Sequence, residues 1–350
     1  MKILYFTKYS RKGASSRLRS YQYFPLLENK NISVTVNSFF NETYLNNLYS
    51  GQSNSNVLIL GFYLKRFFSL FTIFKYDKII IEKELFPYFF SWFEKFFYIL
   101  KIKYIVDYDD AIFHNYDLSK SGLIQFLFKN KIANVMKYSN CVLAGNNYLA
   151  EKAKMSGAKK IVLLPTVIDI SKYKFGEKKT NLKIVIGWIG SPTSFKFVQQ
   201  LKFVFEILIA KFNVEIQIIG AKEDLGLGNS VRYISWSEKS EVDSILNFDI
   251  GIMPLENTPW ELGKCSYKLI QYMGCGIPVV ASAVGMNNEV VDDNINGFLV
   301  ENETEWIEKL TILIENETLR KQFGKNGRKK VEDYYSLENN FKTLLPILYE

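Results

Sequence analysis

Short apolar runs alternate with longer amphipathic segments along nearly the whole chain. Buried parallel strands read as brief apolar runs bounded by turn residues, and crossover helices read as apolar positions three and four apart. On that basis strands are predicted at Lys2–Phe6, Ile32–Val36, Lys78–Ile81, Tyr104–Tyr108, Cys141–Ala144 and Ile161–Leu164. Helical patterns lie between them at Arg17–Leu27, Leu123–Tyr138 and Asn146–Ser156. A charged, glycine-containing linker over Lys172–Thr180 precedes a second alternation. Its strands are predicted at Lys183–Trp188, Glu215–Ile219, Val231–Tyr233, Ile250–Met253, Pro278–Ala281 and Gly297–Val300. Its helices are predicted at Lys196–Lys211, Ser240–Leu246, Ser266–Cys275, Thr304–Asn316, Glu317–Val331 and Ser336–Tyr349. The fold class is therefore α/β, with two doubly wound Rossmann-like domains. The expected boundaries are 1–175, 176–335 and a final helix over 336–350.

Composition adds an asymmetry. The net charge is +8, yet residues 1–175 carry 25 Lys and Arg against 12 Asp and Glu, and the remainder carries 19 against 24. Such a split points to two halves with different partners. The basic half interleaves lysine with aromatics over Phe62–Phe74 and Phe86–Tyr98. Lys65, Arg66, Glu94 and Lys95 interrupt both stretches before the roughly 18–20 apolar residues a membrane span needs. An interfacial helix on anionic lipid and a core helix with solvated charges remain open readings for these stretches. No nucleic-acid-binding motif accompanies the basic charge, so nucleic acid is not an expected partner. Cys141, Cys265 and Cys275 are odd in number and lack metal-ligand spacing, and the apolar run of Met1–Ser10 is too short for a signal peptide. A cytoplasmic setting is the expectation, with a peripheral place on the inner face of the cytoplasmic membrane if the interfacial reading holds.

Candidate chemistry concentrates after strand ends. The segment Gly263–Ser282 reads as loop, helix, turn and buried strand. Lys264, Lys268, Leu269 and Gln271 sit where the helix begins, and a helix N-terminus favours phosphate. Gly276 suits a left-handed position after that helix, and Pro278 ends it. After the first strand, Gly13 and Arg17 belong to a loop read either as a solvated basic turn or as an anion-handling loop. After the first strand of the second half, Gly187, Gly190 and Ser191 can admit a ligand close to backbone N–H groups. The acidic segment DYDDA, Asp107 to Ala111, permits several readings: a divalent metal site at Asp107 and Asp109, general base or charge stabilisation at Asp109 and Asp110, binding of acceptor hydroxyls, or a helix cap. His114, the single histidine, is either structural or an accessory to that cluster. Glu289 follows the strand that ends near Ser282.

At these residues the chain resembles the GT-B glycosyltransferases, in particular the family 4 (group 1) sugar transferases of bacterial polysaccharide synthesis. The resemblance rests on DIGIMPL from Asp249, KLIQYMGCGIPVVAS from Lys268, GMNNEVV from Gly285 and NGFLV from Asn296, with GASSR from Gly13 and DYDDA from Asp107 in the first half. It implies a GT-B fold with an interdomain cleft and a final helix crossing back to the first domain. It also implies transfer of a sugar from a nucleotide-diphosphate sugar to a lipid-linked or polysaccharide acceptor, with retention of configuration; no metal or cofactor is expected, because Lys264, Lys268 and helix-end N–H groups stand where a cation would act. Lys268 is then a phosphate contact and Glu289 the acid near the donor sugar or ribose. The family's Glu-x7-Glu pair falls on Gly263 and Gln271, so both acids are missing. A metal-dependent transferase using Asp107 and Asp109, and a non-catalytic glycan-binding scaffold, are the competing readings.

Overall fold

A computed structural model describes residues 1–175, 183–221 and 223–350, so residues 176–180 of the expected linker lie outside the described residues. Among the described residues, twelve strands order themselves into two sheets. The first contains β1 (Lys2–Tyr9), β2 (Ser33–Phe40), β3 (Lys78–Glu82), β4 (Tyr104–Tyr108), β5 (Cys141–Ala144) and β6 (Ile161–Leu163). The second contains β7 (Ile184–Ile189), β8 (Val214–Ile219), β9 (Val231–Ile234), β10 (Ile250–Met253), β11 (Val279–Ser282) and β12 (Gly297–Val300). The sheet orders are β2-β1-β3-β4-β5-β6 and β12-β11-β10-β7-β8-β9. All pairings are parallel, as in Ile3 opposite Val34 and Lys78, and Gly251 opposite Gly187 and Val279. Parallel strands covered by helices on both faces bury both of those faces, which is why all five residues of β4 are buried, Asp107 among them. In each sheet the strand order reverses at one place, between β1 and β3 and between β7 and β10. Open α/β sheets bind ligands beyond the strand carboxyl ends at such a point.

The chain forms two compact units: Met1–Thr166 with Gly263–Cys265 and Phe341–Glu350, and Val167–Leu262 with Ser266–Asn340. The break therefore falls before residue 175. Backbone hydrogen bonds explain it, since Ile168 N–H donates to Tyr335 C=O at 3.1 Å and Leu337 N–H donates to Ile168 C=O at 2.9 Å within the second unit. The helix Leu337–Tyr349 begins in the second unit and belongs to the first from Phe341 on.

Several expected helices are broken. Arg17–Leu27 resolves into the helix Ala14–Arg19, a 3-10 turn at Tyr21–Tyr23 and the helix Phe24–Glu28, where Pro25 takes the first turn. Leu123–Tyr138 divides into Gly122–Phe128 and Lys131–Tyr138, and Lys196–Lys211 into Phe195–Gln199 and Lys202–Lys211.

The expectation that Lys65 and Arg66 interrupt an apolar span needs correction. The helix Asn56–Ser69 runs on through a 3-10 segment, Leu70–Lys75, and the whole stretch is long and apolar enough to cross a membrane by length and composition. Arg66 does not break its outer surface, because the guanidinium points inward. Nη2 donates to Thr7 C=O at 2.8 Å and to Asn37 C=O at 2.9 Å, and Nε donates to Asn37 Oδ1 at 2.9 Å.

Candidate functional site

In the first unit, charged groups gather where β1, β3 and β4 end. Asp107, the fourth residue of β4, takes both arms of Arg19: Nε to Oδ2 at 2.9 Å and Nη2 to Oδ1 at 2.5 Å. Glu82 closes β3 and accepts from Ser16 Oγ at 2.9 Å, Ser15 Oγ at 3.3 Å and Lys8 N–H at 3.2 Å. Lys83 follows it with a left-handed φ of 69°. Its Nζ lies 2.8 Å from Asp109 and 3.3 Å from Asp110. Ser15 Oγ donates to Asp109 at 2.5 Å, and Lys264 Nζ donates to Asp110 at 3.0 Å. Positive φ in a bulky side chain is held only where surrounding bonds over-determine it, and the two carboxylates supply those bonds to Lys83.

Electrostatics sort these carboxyls. Burial opposes charge on Asp109, but Lys83 and Arg19 outweigh it and hold the carboxyl below the usual range. Burial pushes Glu82 up to about 7, with Lys83 pulling the other way. For Lys264, Asp110 outweighs burial and raises the ammonium above its ordinary value. Asp109 is thus a poor general base, because its proton affinity is far from neutral pH. Asp110, with a side chain 26% exposed, is the most accessible acid of the segment.

Asp107 and Asp109 are also poorly placed for the metal reading. Each already faces a cation, and no group of three or more metal-ligating acids, histidines or cysteines occurs among the described residues. His114 bonds Asp117 through Nδ1 at 2.7 Å and the Tyr148 hydroxyl through Nε2 at 2.8 Å, which makes it structural.

In the second unit the helix Tyr267–Gly274 starts one residue later than expected, from Ser266. Ser266 has a left-handed φ of 49° and donates from Oγ to Asn287 Oδ1 at 2.7 Å, while Asn287 Nδ2 donates to Ser282 C=O at 2.9 Å. Gly276 has the expected left-handed φ, 72°. Lys268 Nζ lies 4.6 Å from the centre of the Trp188 ring. It also occupies the space beside Gly190, 2.9 Å from where a Cβ would stand. An ammonium is thereby fixed just beyond the carboxyl end of β7, beside the strand-order reversal. Ser191 continues that loop, exposed, with its hydroxyl 2.9 Å from Thr193 Oγ1.

Other expected site residues fall elsewhere. A Cβ on Gly187 would lie 2.1 Å from the Phe248 ring, so this glycine admits a core ring rather than a ligand. A Cβ on Gly13 would meet the Tyr9 Cβ at 2.4 Å, so Gly13 seats its turn on β1. Arg17 is buried at 7% exposure and is not an open fork, and Leu269 is wholly buried in the core. Lys264 belongs to the first unit, where its ammonium pairs with Asp110 at 3.0 Å. Glu289 is exposed on the short helix Asn287–Val290.

The two missing acids have physical explanations. A Cβ on Gly263 would stand 2.4 Å from the Ala111 Cβ and 2.7 Å from the Ala111 nitrogen, which leaves no room for any side chain. Gln271 Nε2 donates to Glu241 Oε1 at 2.7 Å and to the Tyr173 hydroxyl at 3.0 Å. Glu241 in turn accepts from Trp236 Nε1 at 2.6 Å. A carboxylate is therefore present beside position 271, supplied by another element. Sequence reasoning missed Glu241, Glu82 and Lys83. The charged triplet Glu82–Glu84 directly after an apolar run was a usable signal for the last two.

Residues 170–330 match the family described as Glycosyl transferases group 1. The chain is 27% identical over 188 residues to the capsular polysaccharide biosynthesis glycosyltransferase CapM of Staphylococcus aureus, covering 48% of each protein, so it aligns with about half the length of that curated relative. The fold is similar to sucrose-phosphate synthase from Thermosynechococcus elongatus, with a TM-score of 0.76 at 12% identity over 99% of this chain and 98% of that one. It is also similar to HepE of Anabaena in complex with UDP, with a TM-score of 0.72 at 16% identity over the full length of both. These likenesses assign the GT-B fold.

Proposed function

We propose that this chain, whose residues 170–330 match the glycosyl transferases group 1 family, is a member of that family and moves a sugar from a nucleoside-diphosphate sugar to a hydroxyl of a lipid-linked or polysaccharide acceptor. The second unit holds the donor and the first the acceptor. The observation that carries this reading is the Lys268 ammonium, pinned over Trp188 and Gly190 at the reversal point of the second sheet. When the bond from the sugar to the diphosphate breaks, negative charge grows on the leaving phosphate. A fixed ammonium near the positive end of the helix Tyr267–Gly274 meets that charge without reorganising. The nearby Glu241, held by Gln271 and Trp236, takes the part of the missing acid and accepts from ribose hydroxyls. Glu289 and Ser191 are exposed enough to reach the donor. In the first unit, Asp110 orients the acceptor hydroxyl while Lys83 and Lys264 fix its position. Retention of configuration and reaction without a metal or cofactor complete the reading, the latter supported by the cations that already engage Asp107 and Asp109.

Because HepE was solved with UDP, that diphosphate is the first probe. UDP, GDP, ADP and dTDP are tested by thermal shift on the parent and on Lys268→Ala. One of them is expected to stabilise the parent, by about 2.7 kcal/mol at a concentration near 100 times its Kd. The variant should lose most of that stabilisation, and its donor turnover should fall about 100-fold or more. Stabilisation by none of the four, or equal stabilisation of both proteins, refutes the donor site.

A further inference from the structure

Among the described residues, 27 large hydrophobics are exposed, and 19 of them lie between Leu48 and Leu127 in the first unit. Outward-facing apolar residues recur along the stretch Asn56–Lys75, where Val57 is 81% and Phe74 75% exposed. The helices Trp92–Ile99 and Gly122–Phe128 continue the pattern, with Trp92 61% and Phe126 78% exposed. Ring contacts join the three elements into one surface. Phe67 meets Phe71 at 5.6 Å and Phe93 at 6.0 Å, Phe90 stacks on Trp92 at 4.8 Å, and Phe90 meets Phe128 at 5.0 Å. Right-handed crossovers from β2 to β3, β3 to β4 and β4 to β5 all step the same way along the sheet, so their helices share one face of it.

The charge on this surface has one sign. Lys65, Lys75 and Lys95 are exposed in these segments, and Lys101 and Lys129 are exposed just after two of them. The acid among them, Glu94, is buried at 1% and accepts from Leu85 N–H at 3.1 Å. An apolar patch this wide marks a docking surface. A partner that is at once apolar and anionic over a broad area is the headgroup–acyl boundary of a bilayer containing acidic lipid.

We infer that the face formed by Asn56–Lys75, Trp92–Ile99 and Gly122–Phe128 docks the first unit onto an anionic lipid bilayer, lying in the interface rather than spanning it. The buried Arg66 decides between lying and spanning. Its guanidinium is tied to Thr7, Asn37 and Leu85, and Phe62 and Ile73 of the same stretch are core residues. The stretch cannot leave the sheet to cross a bilayer without stranding that charge. The inference stands on the surface of the first unit and is independent of the donor reading.

The test is co-sedimentation of the full chain with sucrose-loaded vesicles of phosphatidylcholine, alone or mixed with phosphatidylglycerol. Binding to the mixed vesicles is expected, weakened by added salt, with little binding to phosphatidylcholine alone. Alkaline carbonate should release the bound protein. The triple substitution Phe68→Ser, Phe71→Ser and Phe74→Ser should lower partitioning about tenfold or more, since each removes exposed apolar surface that inserts. The circular dichroism spectrum and melting temperature of the same variant should match those of the parent, which shows that it is folded. No binding to either vesicle, or unchanged binding by the triple variant, overturns the inference. A dimer in solution that the triple substitution converts to monomer also overturns it and assigns the face to a second copy of the chain.

Discussion

Glu82→Gln tests the charge cluster at the carboxyl end of the first sheet through the pH dependence of stability. Glu82 is 2% exposed, and burial raises its carboxyl from the ordinary 4.5 to about 7. Between those values the folded chain keeps a proton that the unfolded chain has released. Stability from this group is fully present below the unfolded value and is lost as pH rises through the folded one. At 1.36 kcal/mol per pH unit, the interval corresponds to about 3 kcal/mol lost between about pH 4.5 and about pH 7.5. Glutamine does not titrate. It keeps an acceptor oxygen for the Ser16 hydroxyl. The unfolding free energy of the variant minus that of the parent should therefore rise by about 3 kcal/mol across that window. Asp109→Asn should show the opposite trend. Its folded carboxyl is held below the usual range, so its stabilisation is present above the unfolded value and is lost on acidification. Urea unfolding followed by circular dichroism, at constant ionic strength and stepped pH, measures both differences. Parallel profiles for parent and Glu82→Gln, or a difference that shrinks as pH rises, would refute the assignment of a protonated buried acid at β3.

Two further substitutions probe the positions where acids are missing. Gly263→Ala places a methyl against Ala111 in a 2.4 Å gap and should destabilise by about 1–3 kcal/mol, seen as a lower melting temperature; an unchanged melt would mean the loop moves aside freely. Gln271→Glu sets a second carboxylate where Glu241 now accepts a 2.7 Å hydrogen bond and should cost about 1–3 kcal/mol, whereas adding Glu241→Gln should restore stability and nucleoside-diphosphate binding. A double variant no better than the single one would separate the two side chains functionally.

The strands were largely legible because a parallel strand buried on both faces is mostly apolar. Tyr104–Tyr108, Cys141–Ala144, Ile250–Met253 and Gly297–Val300 agree residue by residue with the observed elements. The ligand-side glycines were legible only as glycines. Gly187 and Gly190 both occur at the end of an apolar run, yet one faces the Phe248 ring and the other the Lys268 ammonium. The occupant of the space is chosen by residues some 60 to 80 positions away, which no local pattern encodes. The same holds for Lys83 with Asp109 and for Gln271 with Glu241. Periodicity shows that a helix or strand end carries charge, but register and crossover geometry decide which charge it meets. Helix continuity failed where a single amphipathic pattern covered two short helices, as at Gly122–Phe128 and Lys131–Tyr138.

The discontinuous makeup of the first unit bears on the order in which the chain folds during synthesis. Domains generally fold as units, N-terminal first, as they emerge from the ribosome. Here Met1–Thr166 emerges early, yet the unit also needs Gly263–Cys265 and Phe341–Glu350. Until Lys264 is made, Asp110 lacks one of its two cations. Until Phe341–Glu350 is made, the surface that buries Leu344, Ile347 and Leu348 stays open. The unit synthesised first is therefore completed last, and a nascent chain halted near residue 170 should be the form most dependent on chaperones.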